Sequence, residues 1–155
     1  MHTSTVLASL LALVPSTLAV GKARVVNNCA NDLTLWSVGS DVSAPVTLAP
    51  QGTYAETFVK DPKTGGKSLK ITLSSDGLYT GAAQTNFAYS LDGATIWYDL
   101  SDVFGDPFAG KKLLVEGGQG LGCPSIVWAQ GTSPGGSQTK ACNSDGDVTL
   151  TVCAA

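Results

Sequence analysis

Histidine is nearly absent from this chain: among 155 residues the single copy is His2. Triads that use histidine as the general base, zinc sites built on imidazole and imidazole proton shuttles therefore lack their central residue, and any catalysis would have to rest on carboxylates. Basic charge is also scarce. Nine residues are Lys or Arg, Arg24 is the sole arginine, and the formal net charge is −3, whereas a nucleic-acid-binding chain wants a basic excess. Long apolar runs are missing apart from Val6–Val14, well short of the roughly 20 residues that cross a bilayer. No Asn-x-Ser/Thr acceptor occurs, so N-linked glycans are not expected.

The apolar run is followed by Pro15-Ser16-Thr17-Leu18-Ala19, the small-residue pattern that signal peptidase accepts. Residues 1–19 are thus expected to be a signal peptide and residues 20–155 a single mature domain, secreted to the extracellular space or the cell wall and without a membrane span. That length suffices for one core. The four cysteines, Cys29, Cys123, Cys142 and Cys153, all fall in the mature part. An even count in an oxidising compartment favours two disulfides, in any of three pairings. The same four residues show no CxxC pair and no partner histidine, so no metal site is expected.

No mature window carries a helical period, whereas alternation with period two recurs, and nine strands are expected: 24–27, 33–38, 54–59, 68–73, 84–91, 94–100, 113–116, 125–129 and 147–153. Within 68–73 the pattern points Leu69, Ile71 and Leu73 inward and Ser68, Lys70 and Thr72 outward. Short strands punctuated by Gly, Pro and Asp suggest a sandwich or barrel. The Gly-rich stretches 117–122 and 131–136 read as loops; with no Lys-Ser/Thr pair and no following helix they are not phosphate cradles, and no cofactor is expected. Lys60, Lys63, Lys67 and Lys70 read as a solvated loop and edge. Trp36 and Trp128, among apolar neighbours, read as core.

Asp92-Gly93 between two alternating runs predicts a two-residue type I′ hairpin. In that register Leu91, Tyr89 and Phe87 face Ala94, Ile96 and Tyr98 on an apolar side. Ser90, Ala88 and Asn86 meet Thr95, Trp97 and Asp99 on the more polar one. A tryptophan beside a carboxylate suits stacking on a sugar ring and bonding of its hydroxyls, while the plainer role for Trp97 is packing beneath a loop.

Two ends of the chain carry a family likeness. Arg24-Val25-Val26-Asn27-Asn28-Cys29 with Leu33-Thr34-Leu35-Trp36 resembles the opening strand pair of thaumatin-like proteins, and Val148-Thr149-Leu150-Thr151-Val152-Cys153 resembles their closing strand. Between them, Tyr98-Asp99-Leu100-Ser101 and the following Val103-Phe104-Gly105 are similar to the family's YDVSxVDG stretch. The likeness is greater still to the short fungal branch, the antigenic thaumatin-like proteins typified by the Blastomyces yeast-phase-specific protein. It implies an all-β, antiparallel β-sandwich with the terminal strands clipped by Cys29–Cys153, leaving Cys123 to pair with Cys142.

Plant members of the superfamily are known for an acidic cleft of one arginine, one glutamate and three aspartates, some of them binding or weakly hydrolysing β-1,3-glucan. Here Asp99 matches the first aspartate, but the glutamate falls on Ala88, the VDG aspartate on Phe104, and the arginine has no match. Asp102 and Asp106 restore nearby charge without the same geometry. The resemblance and the dismantled cleft together imply a non-enzymatic, monomeric surface or released protein that binds wall polysaccharide such as β-glucan, or a host surface component, through Trp97, Asp99, Asp102 and Asp106. The alternatives are a weak endo-β-1,3-glucanase pairing Asp99 with Asp102, Asp106 or Glu56 across a sugar, and a defence-type antimicrobial or inhibitory protein.

Overall fold

The structure, a computed structural model, describes residues 19–155; His2 and all but the last residue of the expected leader lie outside them. In chain order the elements are β1 (Lys22–Asn27), β2 (Leu33–Val38), β3 (Val46–Leu48), β4 (Thr53–Thr57), β5 (Lys67–Thr72), the single helical turn α1 (Gly77–Thr80), β6 (Gln84–Asp92), β7 (Thr95–Val103), β8 (Leu113–Gly117), β9 (Ile126–Trp128), β10 (Lys140–Asn143) and β11 (Val148–Val152). All nine expected strands are present to within a few residues. The two extra strands and α1 span three or four residues each, too short to show a period in the sequence.

The strands form two sheets, one of five in the order β4-β1-β11-β8-β9 and one of six in the order β10-β7-β6-β5-β2-β3. Every pairing is antiparallel except that of β1 with β11. Alternate residues of both sheets fill the space between them: Val25, Leu150 and Val115 from one meet Leu35, Ile71, Phe87 and Leu100 from the other, all essentially without solvent contact. Burial of such side chains contributes about 1.5–3 kcal/mol each relative to exposure. The disulfides join Cys29 to Cys153 and Cys123 to Cys142.

The β6–β7 hairpin departs from expectation by a shift of its turn. Asp92 pairs with Thr95, so the two loop residues are Gly93 and Ala94. Only Gly93 has positive φ (58°), which is the demand of a turn with glycine first, type II′ rather than I′. The partners move by two residues: Leu91 meets Ile96, Tyr89 meets Tyr98 and Phe87 meets Leu100. A two-residue displacement keeps every side chain on its side of the sheet, where a one-residue slip would have exchanged them. The core side is therefore as expected, and Ala88 rather than Asn86 now lies opposite Asp99.

Four smaller expectations also change. Leu73 lies past the end of β5 and is 54% exposed, because the chain turns there, with the Thr72 hydroxyl donating to the Ser74 carbonyl at 2.6 Å. Thr72 points to the outer side of the six-stranded sheet yet is buried, since α1 begins with Gly77 packed against it. Trp36 is likewise buried, but on that outer side: it stands apart from the sandwich core and meets the Tyr79 ring of α1 edge-on at 6.4 Å. Lys70 belongs to β5, flanked by β2 and β6, and so lies in the middle of the sheet rather than at its edge.

Candidate functional site

Three of the four expected contact residues converge on one cleft. β10 pairs with β7 only as far as Lys140 opposite Tyr98, so the edge of β7 from Asp99 onward is left to the loop that leads into β10. Between that loop and the strand lies a cavity of about 350 Å3, with Asp99, Asp102 and Asp106 on one wall and Ser133, Ser137 and Thr139 among the residues of the other. The loop is held by its own amide. Gln138 accepts from the Trp128 indole N–H at 3.1 Å and donates to the Gly135 carbonyl at 3.1 Å, tying the outer wall to a core tryptophan. Trp128 is thus core as expected.

Asp99 lies on the outer side of the sheet and accepts from the Thr139 hydroxyl at 3.3 Å. Trp97, two residues earlier on the same side, is 48% exposed between Ser90 and Ala141 of the neighbouring strands. No loop covers it in the way the plainer reading required. It flanks the cleft and does not line it.

Asp102 points to the opposite side of β7, across from the buried Thr85. The Thr85 hydroxyl donates to its Oδ1 at 2.5 Å, while its Oδ2 is shielded from solvent and has no hydrogen-bond partner within the described residues. Burial pushes the Asp102 carboxyl up to about 7; the Thr85 bond opposes this and the nearby Asp106 carboxyl adds to it. The carboxyl thus holds its proton well above the ordinary carboxylate range.

Glu56 does not join these acids. It accepts from the Tyr89 and Tyr54 hydroxyls at 2.6 and 2.7 Å and pairs with Lys67 at 3.5 Å. Burial disfavours its charge most, yet the two phenols and Lys67 outweigh that and hold the carboxyl below its ordinary range. This cluster ties β4 of one sheet to β5 and β6 of the other, with both carboxylate oxygens engaged. The pairing of Asp99 with Glu56 across a sugar is ruled out by that commitment. A second cavity, of about 670 Å3, lies beside Cys29–Cys153, lined by Lys111, Lys112 and Phe108, and contains none of the four expected contact residues.

Sequence reasoning did not find the 133–139 wall. Its Ser-Pro-Gly-Gly-Ser-Gln-Thr composition signals a polar loop, but only the place where β10 stops puts it against Asp99. Lys70 faces outward as expected but is not the solvated edge charge that its sequence neighbours suggested. It sits on the outer side beside Trp36 and Asn86, and burial lowers the pKa of its ammonium.

Over residues 10–154 the sequence matches the family model described as Blastomyces yeast-phase-specific protein. It is 30% identical to the antigenic thaumatin-like protein of Arthroderma benhamiae, over 99% of this chain and 85% of that one. It is also 30% identical to the secreted thaumatin-like protein calA of Emericella nidulans, over 94% and 89%. Among solved structures, the protein elicitor MoHrip2 from Magnaporthe oryzae superimposes with a TM-score of 0.71 at 26% identity, covering 86% of this chain and 99% of that one. The thaumatin-like xylanase inhibitor TLXI superimposes with a TM-score of 0.56 at 11% identity, over 85% and 99%, a likeness of fold alone.

Proposed function

Because this chain belongs to the Blastomyces yeast-phase-specific protein family and has the thaumatin-like sandwich, we propose that it is a secreted, non-enzymatic protein that binds cell-wall polysaccharide through Trp97 and the Asp99 cleft. Its leader, residues 1–19, is removed on export, and the mature domain, residues 20–155, works as a monomer at the cell wall or in the medium. The observation that carries this reading is the exposed Trp97 ring on the same side of β7 as Asp99. A flat aromatic offers its face to a sugar ring, and the carboxylates and hydroxyls beside it exchange hydrogen bonds with sugar hydroxyls at modest net gain each. Asp106 and the 133–139 wall complete the contact surface. A host surface component is the second class of partner. It is supported by the relative known as an antigenic protein and the structural relative known as an elicitor.

The test is sedimentation of residues 20–155 with insoluble β-1,3-glucan, chitin and intact walls. We expect retention on at least one, reduced fivefold or more by Trp97→Ala and by Asp99→Asn with folding unchanged. Failure to sediment with any of them, or undiminished retention of both variants, overturns the reading.

One observation favours an alternative, the weak endo-β-1,3-glucanase, because a general acid must keep its proton near neutrality and Asp102 does so. Against it, Oδ1 is engaged by Thr85 and Oδ2 is shielded, so the proton does not face a sugar in the cleft. Release of reducing ends from laminarin, lost in Asp99→Asn and Asp102→Asn, would establish the hydrolase instead. Inhibition of competing microbes by the purified domain would favour a defence role.

A further inference from the structure

The outer side of the six-stranded sheet bears a half-buried cation without an anion. Two ion pairs occur among the described residues, Arg24 with Asp147 and Lys67 with Glu56, and Lys70 belongs to neither. Its Nζ donates to Asn86 Oδ1 at 3.3 Å, and Gln84 Nε2 donates to the same oxygen at 2.5 Å. Since an ammonium can only donate, the Asn86 oxygen must face Lys70, which turns its NH2 the other way as a donor. Asn86 and Gln84 are both buried, so these amides hold their orientation.

Among the described residues no carboxylate pairs with Lys70. The row across the sheet runs Trp36, Lys70, Asn86, Ser101, with Tyr79, 74% exposed, against Trp36 at its rim. The acid nearest in register on this side is Asp99, two strands over and two residues along, about 12 Å away by ordinary sheet spacings. On the neighbouring strand, position 88 on this side is Ala88 and carries no counter-charge. Partial burial without compensation works against the ammonium's charge, and an arriving anion would relieve that.

We propose that Lys70, held in place by the Asn86 amide oxygen, is a receptor for one carboxylate on a sugar, so that the glycan bound across this face is an acidic one bearing uronate units. This rests on the polysaccharide reading above. A lone ammonium flanked by neutral amides is a point charge that matches a single negative charge, whereas the bidentate fit to phosphate is supplied by arginine, and Arg24 is on the other sheet. The floor of amide and hydroxyl groups, with flat aromatics at Tyr79 and Trp97, suits a sugar chain better than an acidic peptide, which would want apolar pockets for its other side chains.

The experiment titrates residues 20–155 with an oligogalacturonide and with its fully methyl-esterified form, the same backbone without charge, alongside laminarin and poly-L-glutamate. The free acid should bind at least tenfold tighter than the ester, and the preference should weaken with salt. Lys70→Gln should erase the preference while leaving affinity for the ester unchanged, and Lys70→Arg should retain most of it. Near-UV circular dichroism, which reports Trp36, checks that each variant is folded. Equal affinity for acid and ester, a preference that survives in Lys70→Gln, or equal binding of poly-L-glutamate overturns the inference. If laminarin binds while the acid is not preferred, only this inference falls. If no glycan binds, the polysaccharide reading falls with it.

Discussion

Asp102 is the residue whose chemistry departs furthest from its free form among the cleft acids, and the departure makes a stability prediction. Its carboxyl is raised from 3.8 to about 7 in the folded protein, so between those values the native state binds more protons than the unfolded chain. Stability is then full below about pH 4, falls as pH rises toward 7, and stays lower above it. Undiluted, that displacement corresponds to about 4 kcal/mol; with half the group's surroundings open to water we expect about 1–2 kcal/mol. Asp102→Asn keeps an oxygen for Thr85 and removes the charge, so it should match the parent at pH 4 and exceed it by that amount at pH 8. Urea midpoints at the two pH values measure the difference, and a variant less stable than the parent at both would show that the carboxyl is not the source. Asp99, Asp102 and Asp106 were legible as a group because a single strand and the turn after it carry all three. Which acid would be shielded was not, since that depends on Thr85 across the hairpin and a loop some 30 residues away in sequence. Lys70 was read as solvated edge charge for a related reason. Four lysines in eleven residues look like solvated charge, and only sheet order separates the one on a central strand.

At the scale of elements, strands of five or more residues could be read from alternation, and their faces survived even where a turn did not. Asp-Gly names a turn, but whether glycine takes the first or second loop position depends on which φ is positive, and residue type alone does not decide that. β3, β10 and α1 are set by their neighbours. β3 lies between Pro45 and Pro50, and β10 exists because Cys142 is tied to Cys123 and lies opposite Ile96. The loop into β10 makes a sharper demand. Gly131 has φ of 66°, and a Cβ there would stand 1.9 Å from the Phe108 carbonyl oxygen and 2.4 Å from that of Lys111. Backbone is the obstacle on both sides, so no side chain can move aside. Gly131→Ala should therefore destabilise by more than the roughly 1 kcal/mol of an unfavourable φ alone, about 2–4 kcal/mol once the clash is included. Because the same loop forms the outer wall of the cleft, it should also weaken glycan retention at temperatures where the domain remains folded. Thermal unfolding together with sedimentation tests both, and unchanged stability would mean that the 108–111 turn yields easily.

For the molecule as a whole, the two ends of the mature chain meet inside one sheet. β1 and β11 lie side by side in parallel, and β11 alone joins β1 and β4 to β8 and β9. No alternation pattern announces a parallel pairing between strands more than a hundred residues apart; the family likeness implied an antiparallel sandwich with its terminal strands joined through Cys29–Cys153, and the parallel contact is the one pairing that departs from it. Cys29–Cys153, with a sequence separation of 124, closes the chain where that ladder ends, whereas Cys123–Cys142, at 19, closes a surface loop. Chain entropy assigns about 5 kcal/mol to the first and about 3 kcal/mol to the second. A domain of this size has about 5–15 kcal/mol in all, so the two losses should differ in kind. Cys123→Ser/Cys142→Ser should remain folded with a lowered urea midpoint. Cys29→Ser/Cys153→Ser should be largely unfolded at 37 °C, and should refold slowly where it folds at all, because the terminal strands must find each other across the whole chain before the five-stranded sheet can close. Equal losses in the two variants would mean that the unfolded chain already holds its ends together, and the clasp would then matter less than the ladder it closes.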